Sequence, residues 1–416
     1  MLTAVAIQRT TLTRVVLAIT CAVCVLALAA CGRDEKASAV PGVSDKEIKI
    51  GQTLPLSGPI AVVAGLSKGF DTYLEEVNAK GGVNGRTFSL SVLDDAYDPS
   101  RSASNVRKLV QQEKVFGVLT FGLGALSVRD FLEQTSTPQL ALAGNSPLSD
   151  TEKYPHTRAW WPDVNWEAQV NAKWILQHLN NPRIGTVGQN NDLGVSMLGG
   201  LKKGLGDQVS KLVKTTTADA QQTDLSSQVN ELRAAKVDVV VTAMTPGLAI
   251  PMMKYAASIG YKPKFFLYSV AASTAYLAPV GLSKLKGDVY TAQWLEDAAA
   301  PGVQGEAALQ SYRDAVQKYG KGAKAADPYV LNGYVAAQAF VHAVEQAGDD
   351  LNQDAWLKAW DTMKSWTPPG LTPGVALASA AGGRIVSAYR VSQFDGKGWN
   401  PVSEPSSAPG TSSPTS

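Results

Sequence analysis

The sequence predicts an α/β protein of two doubly wound lobes, each with a parallel-rich central sheet, joined by hinge strands. Three observations predict it. From Glu47 onward, short β-rich runs alternate with longer segments of helical period, the pattern that builds parallel sheets covered by helices on both faces. The run is too long for one compact doubly wound sheet, and Trp160-Trp161-Pro162, with Asp163 and Asn165 behind it, breaks the pattern as a crossing between lobes would. After a late pair of helices the chain returns through Pro-rich and Gly-rich turns to an alternating strand, Ile385 to Phe394, as two lobes sharing one chain require.

The elements follow in order. Ile48 to Leu54 reads as a strand, and Val63, Leu66, Phe70, Leu74 and Val77 then recur at helical spacing until Gly81-Gly82 stops the helix. Phe88 to Leu93 is the next strand. Asp98-Pro99 supplies an N-cap and a proline at the first helical position, for a helix running to about Glu113. Strands at Val115 to Phe121, Gln139 to Ala143 and Arg183 to Val187 alternate with helices at Leu126 to Thr135 and Trp166 to Leu179. Helices at Val195 to Leu205, Leu225 to Ala235 and Leu248 to Ile259 then interleave with strands near Val209 to Thr215, Val237 to Ala243 and Lys264 to Tyr268. Tyr290 to Gln293 is a strand, followed by helices at Val303 to Tyr319 and Tyr329 to Gln346. The expected division is 45–160 and 290–350 in the first lobe, and 161–289 and 351–402 in the second.

The ends read differently. Arg9 and Arg14 precede an uncharged apolar stretch, Val15 to Ala30, that closes on Leu28-Ala29-Ala30-Cys31. A basic start, an apolar middle and a small-residue cleavage site make residues 1–30 an export signal. A single transmembrane anchor is the weaker alternative, because the stretch falls short of the roughly 20 apolar residues that span a bilayer. The Leu28 to Cys31 ending resembles the bacterial lipoprotein signal, which implies lipidation of Cys31 and a chain anchored to the cell membrane, facing the periplasm or the cell exterior. Cys21 and Cys24 lie in the discarded segment, so the mature domain must rely on its core rather than on disulfides. Residues 31–44 read as a tether and 403–416, rich in Ser, Pro, Thr and Gly, as a disordered tail.

Several function classes lose support. The 38 basic and 36 acidic residues leave a formal charge of +2, with no basic run to track a phosphate backbone, so nucleic acid is not an expected partner. Gly122-Leu123-Gly124-Ala125 lacks the third spaced glycine of a dinucleotide loop, and no phosphate-loop lysine motif occurs. His156, His178 and His342 are scattered with no metal-binding spacing, so no metal or other cofactor is expected. Asp94, Asp95 and Asp98 are explained by a strand end and an N-cap. Ser57 sits in no nucleophile elbow, so the chain is not expected to be an enzyme. Trp160 and Trp161 suit either stacking on a ligand or packing between lobes.

Three segments carry a more specific signal: Ile50-Gly51-Gln52-Thr53-Leu54-Pro55-Leu56-Ser57-Gly58-Pro59, then Val77-Asn78-Ala79-Lys80-Gly81-Gly82-Val83-Asn84-Gly85-Arg86, then Asp94-Asp95 with Asp98-Pro99. With Leu225 to Arg233 and Val237 to Val241, their order and spacing resemble the branched-chain amino-acid-binding group of periplasmic solute-binding proteins. The resemblance implies the type I periplasmic binding fold, a small-molecule solute held where the strands end, and ABC permease and ATPase subunits on separate chains. It further implies a monomer. Ligand contacts would fall at Val63, Gly124, Ala125, Ala143 and Asn145 in the first lobe, with Ser146 beside them. Leu193, Met244 and Ser269 would face them from the second lobe, and Tyr329 would touch the far end of the ligand. The sequence departs from the amino-acid binders where their ammonium-holding carboxylate reads Ser269 and a carboxylate-holding hydroxyl reads Gly124. A buried ammonium without a counter-ion costs several kcal/mol, so the expected solute is a hydrophobic carboxylate or amide lacking a free ammonium. A ligand-sensing receptor module, uncoupled from transport, is the alternative that the same fold would serve.

Overall fold

The computed structural model describes residues 40–58, 60–301 and 306–409. The expected export signal, Cys31 and residues 410–416 therefore lie outside the described residues.

The first sheet holds β1 (Glu47–Leu54), β2 (Thr87–Asp94), β3 (Gly117–Phe121), β4 (Gln139–Leu142) and β5 (Thr157–Ala159), in the order β2-β1-β3-β4-β5 and parallel throughout. Every residue of β3 and β4 is buried, as expected of central parallel strands covered on both faces. One face carries α1 (Gly65–Ala79) and the other α2 (Pro99–Arg107), whose cap is the Asp98 carboxylate accepting from Ser100 N and Arg101 N. A π-helical turn, Lys108–Gln112, carries that helix close to its expected end. The helix expected over Leu126 to Thr135 is two, α3 (Gly122–Ser127) and α4 (Arg129–Gln134), parted at Val128.

Beyond Trp160-Trp161-Pro162 the second sheet begins. It comprises β6 (Ile184–Gln189), β7 (Leu212–Ala218), β8 (Val239–Ala243), β9 (Lys264–Leu267) and β10 (Val289–Gln293), all parallel. Its helices are α5 (Val164–His178), α6 (Asp192–Leu205), α7 (Ser226–Ala234) and α8 (Pro246–Ser258), with a short α9 (Thr274–Leu277) after β9. Trp174 of α5 packs on Phe266 and Tyr290, at ring distances of 5.7 and 4.9 Å, while Val229, Leu232, Leu248 and Met252 of α7 and α8 cover the opposite face with Val240 and Phe265.

The chain then returns to the first lobe with α10 (Glu306–Tyr319), α11 (Pro328–Ala347) and α12 (Gln353–Asp361). α11 lies on α1 so closely that a Cβ at Gly69 would sit 1.9 Å from Val330 O and one at Gly333 2.0 Å from Leu66 O. Only glycine fits either place. β11 (Leu377–Ala380) pairs with β12 (Arg384–Val386), and β13 (Ala388–Phe394), β14 (Trp399–Pro401) and β15 (Ser406–Ser407) complete the second sheet antiparallel.

The structure shifts several expected boundaries. Val289–Gln293 is fully buried between β9 and β13, so the crossing comes after Gln293 rather than at 290. Gln353–Asp361 stays with the first lobe, its Trp356 ring 5.0 Å from Phe340 of α11. The single strand expected over Ile385 to Phe394 is divided at Ser387, where the pairing partner changes from β11 to β10. Two ends expected to be unstructured are tied by backbone hydrogen bonds, which need no apolar side chain. Lys49 N donates to Gly42 O at 2.8 Å, and Ala408 N donates to Ser387 O at 2.7 Å beside the β13–β15 pair.

Candidate functional site

The two sheets turn the carboxyl ends of their strands toward each other, the place where open α/β sheets bind ligands. A cavity lies there. The ends of β3 and β4 deliver Phe121 to Leu123 and Ala143 to Asn145 from the first lobe, joined by Tyr97 and Tyr329. The second lobe delivers Gln189, Asn191, Leu193, Thr245, Tyr268 and Val270, and Trp161 enters from the crossing segment. Among the described residues, none that lines this cavity carries a formal charge.

Four polar atoms of its lining residues are buried without a hydrogen-bond partner: Gln189 Nε2, Thr245 Oγ1, Tyr268 Oη and Tyr329 Oη. Each such group costs about 1–3 kcal/mol if left unmet, so the cavity is built to be completed by polar atoms of a bound molecule or water. The orientation of Gln189 is fixed, since Asn191 Nδ2 donates to its Oε1 at 3.2 Å and leaves the amide nitrogen as the free donor. Burial pushes the Tyr268 and Tyr329 phenols well above their ordinary pKa, so both remain neutral hydroxyls.

Helix starts converge on the same space. Asn191 caps α6, its Oδ1 accepting from Leu193 N at 3.0 Å, and Thr245 stands at the N-cap of α8 without a side-chain cap bond. The unpaired N–H groups and dipole of a helix start favour an anionic or carbonyl oxygen.

An aromatic wall joins the lobes. The Phe121 and Trp161 rings meet edge to face at 5.6 Å, and Trp161 meets Tyr268 at 6.5 Å. Trp161 is held in place by Asn332 of α11, whose Oδ1 accepts from both Trp160 Nε1 at 2.8 Å and Trp161 Nε1 at 3.0 Å. Arg384 fixes the backbone on either side, donating to Asn145 O at 2.9 Å, to Trp161 O, and through Nε to Ser149 Oγ at 2.8 Å.

Of the residues expected from sequence, the structure brings Ala143, Asn145, Leu193 and Tyr329 together at this cavity. Val63 and Met244 are fully buried in the hydrophobic cores. Gly124 and Ala125 are buried in α3, with Gly124 turned toward Ser102. Ser146 sits at the seam between lobes, where its N–H donates to Ser196 Oγ at 3.2 Å and its hydroxyl to Asp163 at 2.7 Å. Ser269 donates both its N–H and its hydroxyl to Glu167, each at 2.8 Å, and lines a neighbouring cavity. A carboxylate does reach Ser269, but both its oxygens are already used, the second also by Tyr389 Oη at 3.0 Å. Burial, opposed by the Ser269 and Tyr389 hydrogen bonds, raises the Glu167 pKa to about 8. The sequence reading passed over Gln189, Thr245 and Tyr268, although each stands just where a β-rich run ends.

Residues 47–398 match the protein family described as periplasmic binding protein. The chain is 26% identical over 331 residues to Leu/Ile/Val-binding protein homolog 7 of Brucella abortus, covering 75% of this chain and 79% of that one. A branched chain amino acid ABC transporter protein of Thermus thermophilus, solved with bound valine, shares the fold with a TM-score of 0.77 at 15% identity, over 88% of this chain and 98% of that one. A fatty acid ABC transporter substrate-binding protein from Thermomonospora curvata does so with a TM-score of 0.73 at 22% identity, over 90% and 96%. With two parallel sheets facing across an uncharged cavity and a family match over most of its length, the chain belongs to the periplasmic binding protein family, in its type I, branched-chain amino-acid-binding-like form.

Proposed function

We propose that this protein is the extracytoplasmic solute-binding lipoprotein of an ABC-type importer, and that its solute is a hydrophobic carboxylate or amide rather than a plain α-amino acid. The observation that carries the reading is the lining of the cavity, where aromatic and aliphatic side chains surround unpartnered neutral donors and acceptors and no carboxylate stands ready for an α-ammonium. Helix starts at Asn191 and Thr245 supply the polarity that a carboxylate or amide oxygen needs. The fatty acid protein of Thermomonospora curvata, which shares the fold, supports a solute of this kind.

Capture works by differential affinity. An open form admits the solute, and the closed form is stabilised only to the extent that the solute binds it more tightly. Crossing segments absorb the rotation. The lipid on Cys31 and the residues behind it hold the closed form near permease and ATPase subunits supplied by other chains.

A thermal-shift panel tests the reading, because a ligand of the native state raises the melting temperature. Hydrophobic carboxylates and amides are expected to raise it and branched-chain amino acids are not. A strong shift with leucine or valine, and none with the acids or amides, overturns the assignment.

A further inference from the structure

The neighbouring cavity that Ser269 lines also holds Glu296 and Asp297, and it shares Val270 and Tyr329 with the main one. Its two carboxyl groups are in different states. Asp297 is satisfied, with Oδ1 accepting from Ser273 Oγ at 2.9 Å and Ala299 N at 3.2 Å, and Oδ2 from Thr274 N at 2.6 Å. Glu296 is only 9% exposed, and its Oε1 is shielded from solvent without a partner. Arg390 is the cation that acts on it, yet that guanidinium donates through Nε to Ser403 O at 3.4 Å and through Nη1 to Pro373 O at 2.9 Å. Tyr329, 2% exposed, brings a second unpartnered oxygen to the same wall.

A buried carboxyl without a partner costs several kcal/mol, and what it lacks is a donor. Beside a second carboxyl, the donor that gains most is a compact cation carrying several N–H groups. Burial, reinforced by Asp297 and opposed by Arg390, pushes the Glu296 pKa up to about 8, so the carboxyl holds its proton near neutrality until such a cation displaces it.

We propose that this cavity is a second polar subsite of the solute cleft, which takes a primary ammonium group carried at the end of the captured molecule remote from its carboxylate, with Glu296 as counter-ion and Tyr329 Oη as neutral acceptor. The inference rests on the solute-binding reading above and departs from the sequence expectation of a solute without any free ammonium: an amine next to the carboxylate has no place at Ser269, whereas one further along the molecule would meet Glu296.

Methylammonium chloride is the probe, with equal tetramethylammonium chloride as the control that lacks N–H groups. In the unmodified protein, methylammonium is expected to raise the melting temperature and tetramethylammonium is not. Glu296→Gln keeps the shape, removes the buried acid, and is expected to weaken methylammonium by about tenfold or more, the ratio set by 1.4 kcal/mol. Tyr329→Phe, which removes only the neutral acceptor, is expected to weaken it less, and provides the comparison should the Gln variant fold poorly. No methylammonium shift in the unmodified protein, or the same shift in both variants, overturns the subsite. The carboxylate panel, run on the same proteins, separates the two ideas. Shifts with carboxylates but not with methylammonium sink the subsite alone, and no carboxylate or amide shift at all sinks the solute reading.

Discussion

At Gly144 the first lobe lies close against Tyr268 of the second. An added Cβ there would lie 2.5 Å from Tyr268 Oη and 2.9 Å from Pro162 O. Gly144→Ala is therefore expected to hold the cleft ajar, weakening the solute about tenfold or more, an overpacking penalty of about 1–3 kcal/mol. Adding Tyr268→Phe removes the obstructing hydroxyl and is expected to restore part of the affinity, which calorimetric titration of the four variants would show. Glu167 sets a second expectation. Its folded pKa of about 8 lies above the ordinary 4.5, so between those values the folded state binds a proton that the unfolded chain has released. Stability attributable to this group is full below about pH 4.5 and is lost as pH rises through 8, at about 1.4 kcal/mol per pKa unit. The melting temperature should fall across that window, and the fall should be smaller in Glu167→Gln. Such residues were hard to see in the sequence. Ala143, Asn145, Leu193 and Tyr329 were expected from the family resemblance, and they reach the cavity because they stand at strand ends and helix starts. Ser269 and Met244 stand at similar strand ends, yet one is captured by Glu167, distant in sequence, and the other turns into the core.

The elements themselves follow mostly from periodicity, since a covered parallel strand is apolar throughout and a packed helix repeats its apolar face. α1 was legible for that reason. The strand read over Ile385 to Phe394 was not, because residues on both sides of Ser387 are buried alike while only their pairing changes. Pairing is a property of two segments, and no single run of residues records it. The contact between α1 and α11 shows the same limit, since nothing local to Gly333 announces that Leu66 O lies 2.0 Å from its missing Cβ. Gly333→Ala should separate these helices at a cost of about 1–3 kcal/mol or more, exceeding the roughly 1 kcal/mol of helix propensity gained. A lower melting temperature is the expected result, and an unchanged or raised one would show that the pair can slide apart freely.

At the scale of the whole molecule, neither lobe is made of one stretch of chain. The first lobe needs α11 to cover α1, and the second needs β13 beside β10. A chain ending at residue 289 is thus expected to lack cooperative unfolding and to be digested rapidly by protease, although it contains all five strands of the first parallel run and four of the five of the second. This arrangement also bears on how the protein is made. The face of α1 that carries Gly65, Gly69 and Tyr73 lacks its α11 cover until the residues around Gly333 have been synthesised. Contacts so distant along the chain form late and slowly, so an emerging chain stays extended enough to be threaded through a narrow channel before either half can lock.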